Sequence, residues 1–255
     1  MVNLSLAALK KEYNIEMKVS WSLTWVWLIA SAWGSIVCAQ QGWQTKPYQQ
    51  WTKEDIIKIA SDSPWAQVQQ AKLATGEYVP TDYLPSVTIR LRSALPIRQA
   101  LLRLKQLEAK YDKMNASDRS AFDAKLKGLL ECPACAENYV VTLGPPVSSH
   151  QMKNGLGTLV NVNFSLLQKR VYLINDLGER RELIHFVAPK HDEDEATFFF
   201  PRFVEKDRPL LLPESKKLYF IFEATNLRSG FGLDSIPERF EFDVSKLLVN
   251  GKIEF

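Results

Sequence analysis

The C-terminal half of this chain returns apolar residues at every second position, and that period limits what it can become. In KKLYFIFEAT (216–225), Leu218, Phe220, Phe222 and Ala224 fall on one side; in ERFEFDV (238–244), Phe240, Phe242 and Val244 do the same. Side chains alternate across a strand and wind around a helix, so this spacing builds half-buried β-strands. Tyr139, Val141 and Leu143 alternate likewise, as do Val160, Val162, Phe164 and Leu166. RVYLIND (170–176) and RELIHFVA (181–188) flank Asp176-Leu177-Gly178-Glu179, which reads as a hairpin turn, and ATFFFPRF (196–203) adds a further run. About seven to nine short strands with polar, Gly- or Pro-containing connections predict an antiparallel sandwich.

Upstream the period changes twice. In SVTIRLRSA (86–94), Val87, Ile89 and Leu91 alternate with Thr88, Arg90 and Arg92, which predicts a half-buried strand. Pro96 then opens a helix on which Ile97, Ala100, Leu101, Leu104, Leu107 and Tyr111 recur at three- and four-residue spacing. Ser117 reads as the cap of a partner helix with Ala121, Phe122, Leu126, Leu129 and Leu130 inward. This helical hairpin, at about 96–131, is expected to be inserted between two strands of one domain, residues 81–255. Residues 40–80 read as a short N-terminal helical arm. Thr52 and Asp55 form a capping box for a first helix carrying Ile56, Ile57 and Ile59, which stops near Ser63. Ser63 and Pro64 are expected to start a second helix over WAQVQQAKLAT (65–75), closed by Gly76. The expected fold class is therefore α+β: an antiparallel β-sandwich, immunoglobulin-like, with an inserted helical hairpin.

Residues 1–39 read as a signal peptide, with Met17 as the alternative start. Lys18 precedes an apolar stretch from Trp21 to Val37, and the small residues at the positions a signal peptidase reads place cleavage near Ala39. The stretch, about 17 residues, reaches the lower limit for spanning a bilayer, so a membrane anchor formed by the uncleaved segment Trp21–Val37 is the alternative. Cys38 as a lipid-carrying residue is disfavoured because Val37, not a small residue, precedes it. Either way the remainder is expected to be exported, to the periplasm or outside the cell. The 32 basic and 29 acidic side chains leave a formal charge of +3 with no long basic run, which argues against a nucleic-acid partner.

After cleavage two cysteines remain, Cys132 and Cys135, in a compartment where disulfides persist. A reactive CxxC sits at a helix N-terminus, where the macrodipole favours the thiolate. Here Cys132 follows a helix, and strand-like residues resume by Tyr139, leaving little room for a helix after Cys135. A structural disulfide is the reading adopted; a redox centre and half of a metal site are the alternatives. A four-residue loop closed this way is worth on the order of 2 kcal/mol by chain entropy. His150, His185 and His191 lack i, i+4 spacing, and His185 reads as a sheet residue. The acidic run His191-Asp192-Glu193-Asp194-Glu195 lacks the calcium-loop spacing and reads as a solvated hairpin tip. No hydrolase or nucleotide-loop motif survives its context, so neither catalytic nor metal or cofactor residues are assigned. Paired carboxylates carry no short signature, which leaves a carboxylate-dependent hydrolase open. Asn115-Ala-Ser117 and Asn163-Phe-Ser165 match the glycosylation triplet.

Several phrases resemble a family of uncharacterised exported bacterial proteins. They are Trp51-Thr-Lys-Glu-Asp55 running into Asp62-Ser-Pro-Trp65, Arg90-Leu-Arg-Ser-Ala-Leu-Pro-Ile-Arg-Gln-Ala100, Phe200-Pro-Arg202 and the closing Gly251-Lys-Ile-Glu-Phe255. Their order, more than any one of them, carries the resemblance, which implies export and no particular activity. The expectation is an exported non-enzymatic binding or envelope-structural module, with a protein of the cell envelope as the kind of partner. Membrane contact is expected only through the N-terminal segment. The alternative is a secreted enzyme, either a thiol-disulfide oxidoreductase using Cys132 and Cys135 or a carboxylate-dependent hydrolase. Trp51 and Trp65 could dock a partner, though packing on the domain itself is the simpler expectation.

Overall fold

The computed structural model describes residues 42–70, 86–147, 159–160, 162–191, 194–204, 208–223 and 237–255. The segment expected to be a signal peptide, the far end of the expected second helix and His150 lie outside the described residues. The chain divides into two units, Met1–Thr45 and Lys46–Phe255. Of the first, residues 42–45 form a turn in which the Thr45 hydroxyl donates to the Gly42 carbonyl. The second carries everything that follows.

Helix α1 (Lys53–Ser61) begins at the capping box that the sequence predicts. The Asp55 N–H donates to the Thr52 hydroxyl at 3.2 Å, and the Thr52 N–H donates to the Asp55 carboxylate at 3.0 Å. Beyond it the second helix does not form over its described part. Strands β1 (Asp62–Ser63) and β2 (Ala66–Gln70) pair across Pro64-Trp65 instead. The Ser63 hydroxyl donates to the Ile59 carbonyl at 2.7 Å and accepts from the Trp65 N–H at 3.2 Å. Proline here serves a tight turn rather than the first turn of a helix, and β2 finds an antiparallel partner in β3 (Ser86–Leu91). Residues 66–70 therefore belong to a sheet, not to a helical arm.

Between β3 and its other neighbour lie α2 (Leu95–Glu108), a 3-10 turn (Tyr111–Lys113), α3 (Ala116–Glu131) and α4 (Ala134–Glu137). Strand β4 (Asn138–Gly144) follows and pairs with β3, so the helices connect two adjacent strands. Their inward faces differ from the apolar stripes of the sequence. Helix α2 buries Arg103 and Gln106 beside Ile97 and Ala100, while Leu101, Leu104 and Leu107 stay half-buried. Arg103 can go inside because Asp112 accepts two of its N–H bonds, at 3.2 and 2.9 Å, and Gln106 a third. Helix α3 is capped by Asn115, whose side chain accepts from the Asp118 N–H, rather than by Ser117. None of its residues is buried, and Ala121, expected inward, is exposed.

The remaining elements are α5 (Phe164–Leu167), β5 (Val171–Asn175), β6 (Arg180–Glu182), β7 (His185–Val187), β8 (Ala196–Pro201), β9 (Phe203–Val204), β10 (Arg208–Pro209), β11 (Lys217–Phe222), β12 (Arg239–Asp243), β13 (Leu248–Val249) and β14 (Lys252–Ile253). The strand expected through Val160–Leu166 does not form among its described residues, and Phe164 begins the helical turn α5. There the Asn163 side chain accepts from the Ser165 N–H, so asparagine cap chemistry overrides the alternation. Both glycosylation-type triplets thus supply helix caps, Asn115 and Asn163. The hairpin at 176–179 forms as expected between β5 and β6, with Gly178 at φ 84°, a left-handed conformation that glycine takes without strain. RELIHFVA splits, β6 joining β5 and β7 joining β8.

The result is α+β. A six-stranded antiparallel sheet runs in the order β1-β2-β3-β4-β8-β7 and a four-stranded one in the order β12-β11-β5-β6. On the first sheet, Ile89 pairs with Leu143, Val141 with Phe198 and Tyr139 with Phe200, placing these side chains on one face. Against that face stand Phe220 and Phe222 of the second sheet. The Phe198 ring lies 5.4 Å from Phe220 and 6.3 Å from Phe222, and Phe200 lies 6.1 Å from Phe220, all edge-on. Burying each such ring contributes roughly 2–3 kcal/mol relative to leaving it in water. The opposite face of the first sheet, with Thr88, Arg90 and Thr142, is buried as well, and α1 packs on β2 and β3. Among the described residues no helix is long and apolar enough to cross a membrane.

Candidate functional site

The two cysteines lie at the joint between α3 and β4. Cys132 closes α3 in a left-handed conformation (φ 43°), its N–H donating to the Gly128 carbonyl at 3.0 Å. One helical turn follows, α4, where little room was expected; Pro133 starts it and Cys135 lies buried within it. A disulfide joins Cys132 to Cys135, with the α-carbons 5.3 Å apart. A single turn has little macrodipole, and the end of the longer helix presents carbonyl oxygens to Cys132.

Two arginines hold this joint. From α2, Arg98 donates to the main-chain oxygens of Leu130 and Glu131, the last carbonyls of α3, as a cation at a helix C-terminus should. From just beyond β8, Arg202 donates to the Cys135 carbonyl at 3.0 Å and to the main-chain oxygen of Phe255 at 2.8 Å. Its guanidinium lies over the rings of Tyr139 and Phe255, which stack with centroids 4.8 Å apart. Burial lowers both guanidinium pKa values; Glu254 opposes the shift at each, Tyr139 also opposes it at Arg202, and the Arg202 charge adds to it at Arg98. The Trp65 indole N–H donates to the Glu254 carbonyl. Of the phrases quoted for the resemblance, Trp65 and Arg202 both donate to main-chain oxygens of the closing 251–255 segment.

The other sequence candidates are dispersed. His185 is exposed on β7, its ring 5.1 Å from Phe199. The Asp194 carboxylate accepts from the N–H groups of Lys190 and His191, both at 3.0 Å, which shapes the turn. Glu195 is not part of a solvated tip: it reaches Arg90 at 2.7 Å. Among the described residues no group of three His, Cys, Asp or Glu side chains is arranged to hold a metal. Trp51 and Trp65 are buried at 4% and 0% exposure, so neither presents a surface for docking.

A second place was not marked by any motif. Arg90, buried on β3, donates from Nε to the Ala60 carbonyl at 2.7 Å, from Nη1 to Glu195 and from Nη2 to the Pro145 carbonyl at 2.8 Å. Two residues on, Arg92 has no such set: its Nη1 is buried and without a hydrogen-bond partner among the described residues. Burial lowers the Arg92 pKa; Glu195 opposes this, and Arg90 and Arg98 add to it. Both arginines line a cavity of about 470 Å³, whose apolar wall includes Leu101, Leu104, Leu129 and Pro145. The sequence signal lay in SVTIRLRSA, where Arg90 and Arg92 occupy the side that alternation assigns to solvent.

No family model, curated protein or solved structure matches the chain.

Proposed function

We propose that this chain is an exported bacterial module that binds or builds rather than catalyses, working in the cell envelope. The observation that carries the reading is the closed Cys132–Cys135 disulfide with Cys135 buried beneath it. Disulfides persist in oxidising compartments, which fits the reading of residues 1–39 as a signal peptide. The nearest guanidiniums are committed to main-chain oxygens of residues 130, 131, 135 and 255, which is the role of a clip between helix and strand. The edge-on rings of Phe198, Phe200, Phe220 and Phe222 support reading the body as a β-sandwich. It would be immunoglobulin-like in having two antiparallel sheets face to face, although β1 to β4 run as a meander. The test is fractionation of the native host with mass analysis of the recovered chain. The reading expects envelope or extracellular protein beginning near Gln40 with no free thiol; a full-length chain in the cytoplasm would overturn it. Retention in the membrane with an intact N-terminus would favour anchoring by Trp21–Val37.

One observation favours a second reading, a thiol-disulfide oxidoreductase. Arg98 and Arg202 place two positive groups next to the cysteine pair, and nearby cations favour a thiolate. The two readings part on the reduction potential of the pair.

A further inference from the structure

We propose that the cavity beside Arg92 is a binding site for a small organic monocarboxylate with an apolar body. The inference is independent of export, since it rests on the charges and walls of the cavity alone.

The charged side chains at the cavity are equal in number, Arg90, Arg92 and Lys105 against Glu108, Asp194 and Glu195, but their hydrogen bonds are unequally shared. Arg90 is neutralised by Glu195 at 2.7 Å. At the rim Lys105 pairs with Glu108 at 3.0 Å. Asp194 accepts from the main-chain N–H groups of Lys190 and His191, 3.0 Å away. Arg92 is left over, with a buried Nη1 that has no partner among the described residues. Leaving a buried N–H donor unpaired is costly, and although Glu195 acts favourably on the Arg92 charge, Arg90 and Arg98 repel it. A carboxylate reaching Nη1 would supply the missing acceptor. A phosphate dianion would bring two negative charges, beside the carboxylates of Glu108, Asp194 and Glu195 already at the cavity. A carboxylate also matches the planar fork of a guanidinium.

The walls define the rest of the ligand. Leu101 and Leu104 belong to the apolar stripe of α2, yet the helix buries Arg103 and Gln106 and turns these leucines onto the cavity. Leu129 of α3 and the Pro145 ring complete an apolar lining. At about 470 Å³ the space lies within the range of small-molecule sites. A carboxylate held at Arg92 would lay a short hydrocarbon chain along these leucines.

The test titrates the purified protein with octanoate, 1-octanol and inorganic phosphate, followed by calorimetry and by thermal melting. Octanoate is expected to bind saturably at one site, at least about tenfold more tightly than 1-octanol, with no binding of phosphate. In Arg92→Met the melting temperature without ligand should be equal or higher, because a buried donor without an acceptor has gone, and octanoate affinity should fall to that of 1-octanol. Leu104→Phe, which fills the cavity and keeps Arg92, should lose octanoate binding as well. Absence of octanoate binding, tighter binding of phosphate, or octanoate affinity unchanged in either variant would each overturn the proposal.

Discussion

Removing the charge of Glu195 should expose how Arg90 is kept inside. The Arg90 side chain is 1% exposed and donates to three separate segments: the end of α1, the stretch after β4 and the residue just before β8. Two of those acceptors are neutral carbonyls, so Glu195 alone balances the charge. Taking away one partner of a buried pair costs about 3–5 kcal/mol, because the other is left uncompensated. Glu195 is itself 29% exposed, and solvent screening places Glu195→Gln toward the lower end, about 3 kcal/mol. For a chain of this size that shifts the melting temperature by about 6–12 °C. The check is urea unfolding at neutral pH, where the midpoint should fall without a change of slope. Arg90→Met combined with Glu195→Gln should cost less than the sum of the two changes, since no unmatched charge then remains. Gly144 offers a steric version of the same perturbation. A β-carbon there would stand 2.7 Å from Glu195 Cγ and 3.2 Å from Arg90 Nη1, so Gly144→Ala should press the pair apart. A loss below about 1 kcal/mol in Glu195→Gln would refute the reasoning, because the carbonyls would then suffice.

Phe220 packs its ring 5.4, 6.1 and 6.0 Å from those of Phe198, Phe200 and Phe240, so Phe220→Ala should cost on the order of 4 kcal/mol in urea unfolding. A loss under about 2 kcal/mol would remove the support for two sheets packed face to face. The hydrogen bond from Arg103 holds the Asp112 carboxyl below its ordinary pKa, burial opposing and the charges of Arg103 and Arg119 adding. A depressed folded-state value means stability present above the unfolded pKa, near 3.9, and lost as pH falls through the lower folded one. Asp112→Asn should therefore be less stable than the parent at neutral pH, by about 1 kcal/mol given the exposure of Asp112, and the gap should close in acid. A gap independent of pH would contradict it.

Local chemistry was readable where one residue type answers one backbone need. The capping box at Thr52 and Asp55, the glycine turn at 178 and the alternating phenylalanines of β11 and β12 form as their sequence predicts. Other positions depended on partners that sequence spacing cannot reveal. Ser63-Pro64 suits a helix start and a tight turn equally, and pairing of β2 with β3 decides between them. Thr88 and Arg90 looked solvent-facing because alternation reports polarity rather than burial. The sheet is covered on both faces, and the counter-charge for Arg90 comes from Glu195, 105 positions away. The same distance hid the cavity: the unpaired Nη1 of Arg92 becomes visible only once Glu195 is seen to bond Arg90. At the cysteines, the end of α3 was legible and the turn of α4 after it was not.

The reduction potential of the Cys132–Cys135 couple, measured by equilibration with glutathione or dithiothreitol, tests the account most directly. A structural clip predicts a value below about −300 mV, together with full closure in protein recovered from the envelope. A potential near or above about −200 mV would place the pair among catalytic disulfides and contradict the non-enzymatic reading.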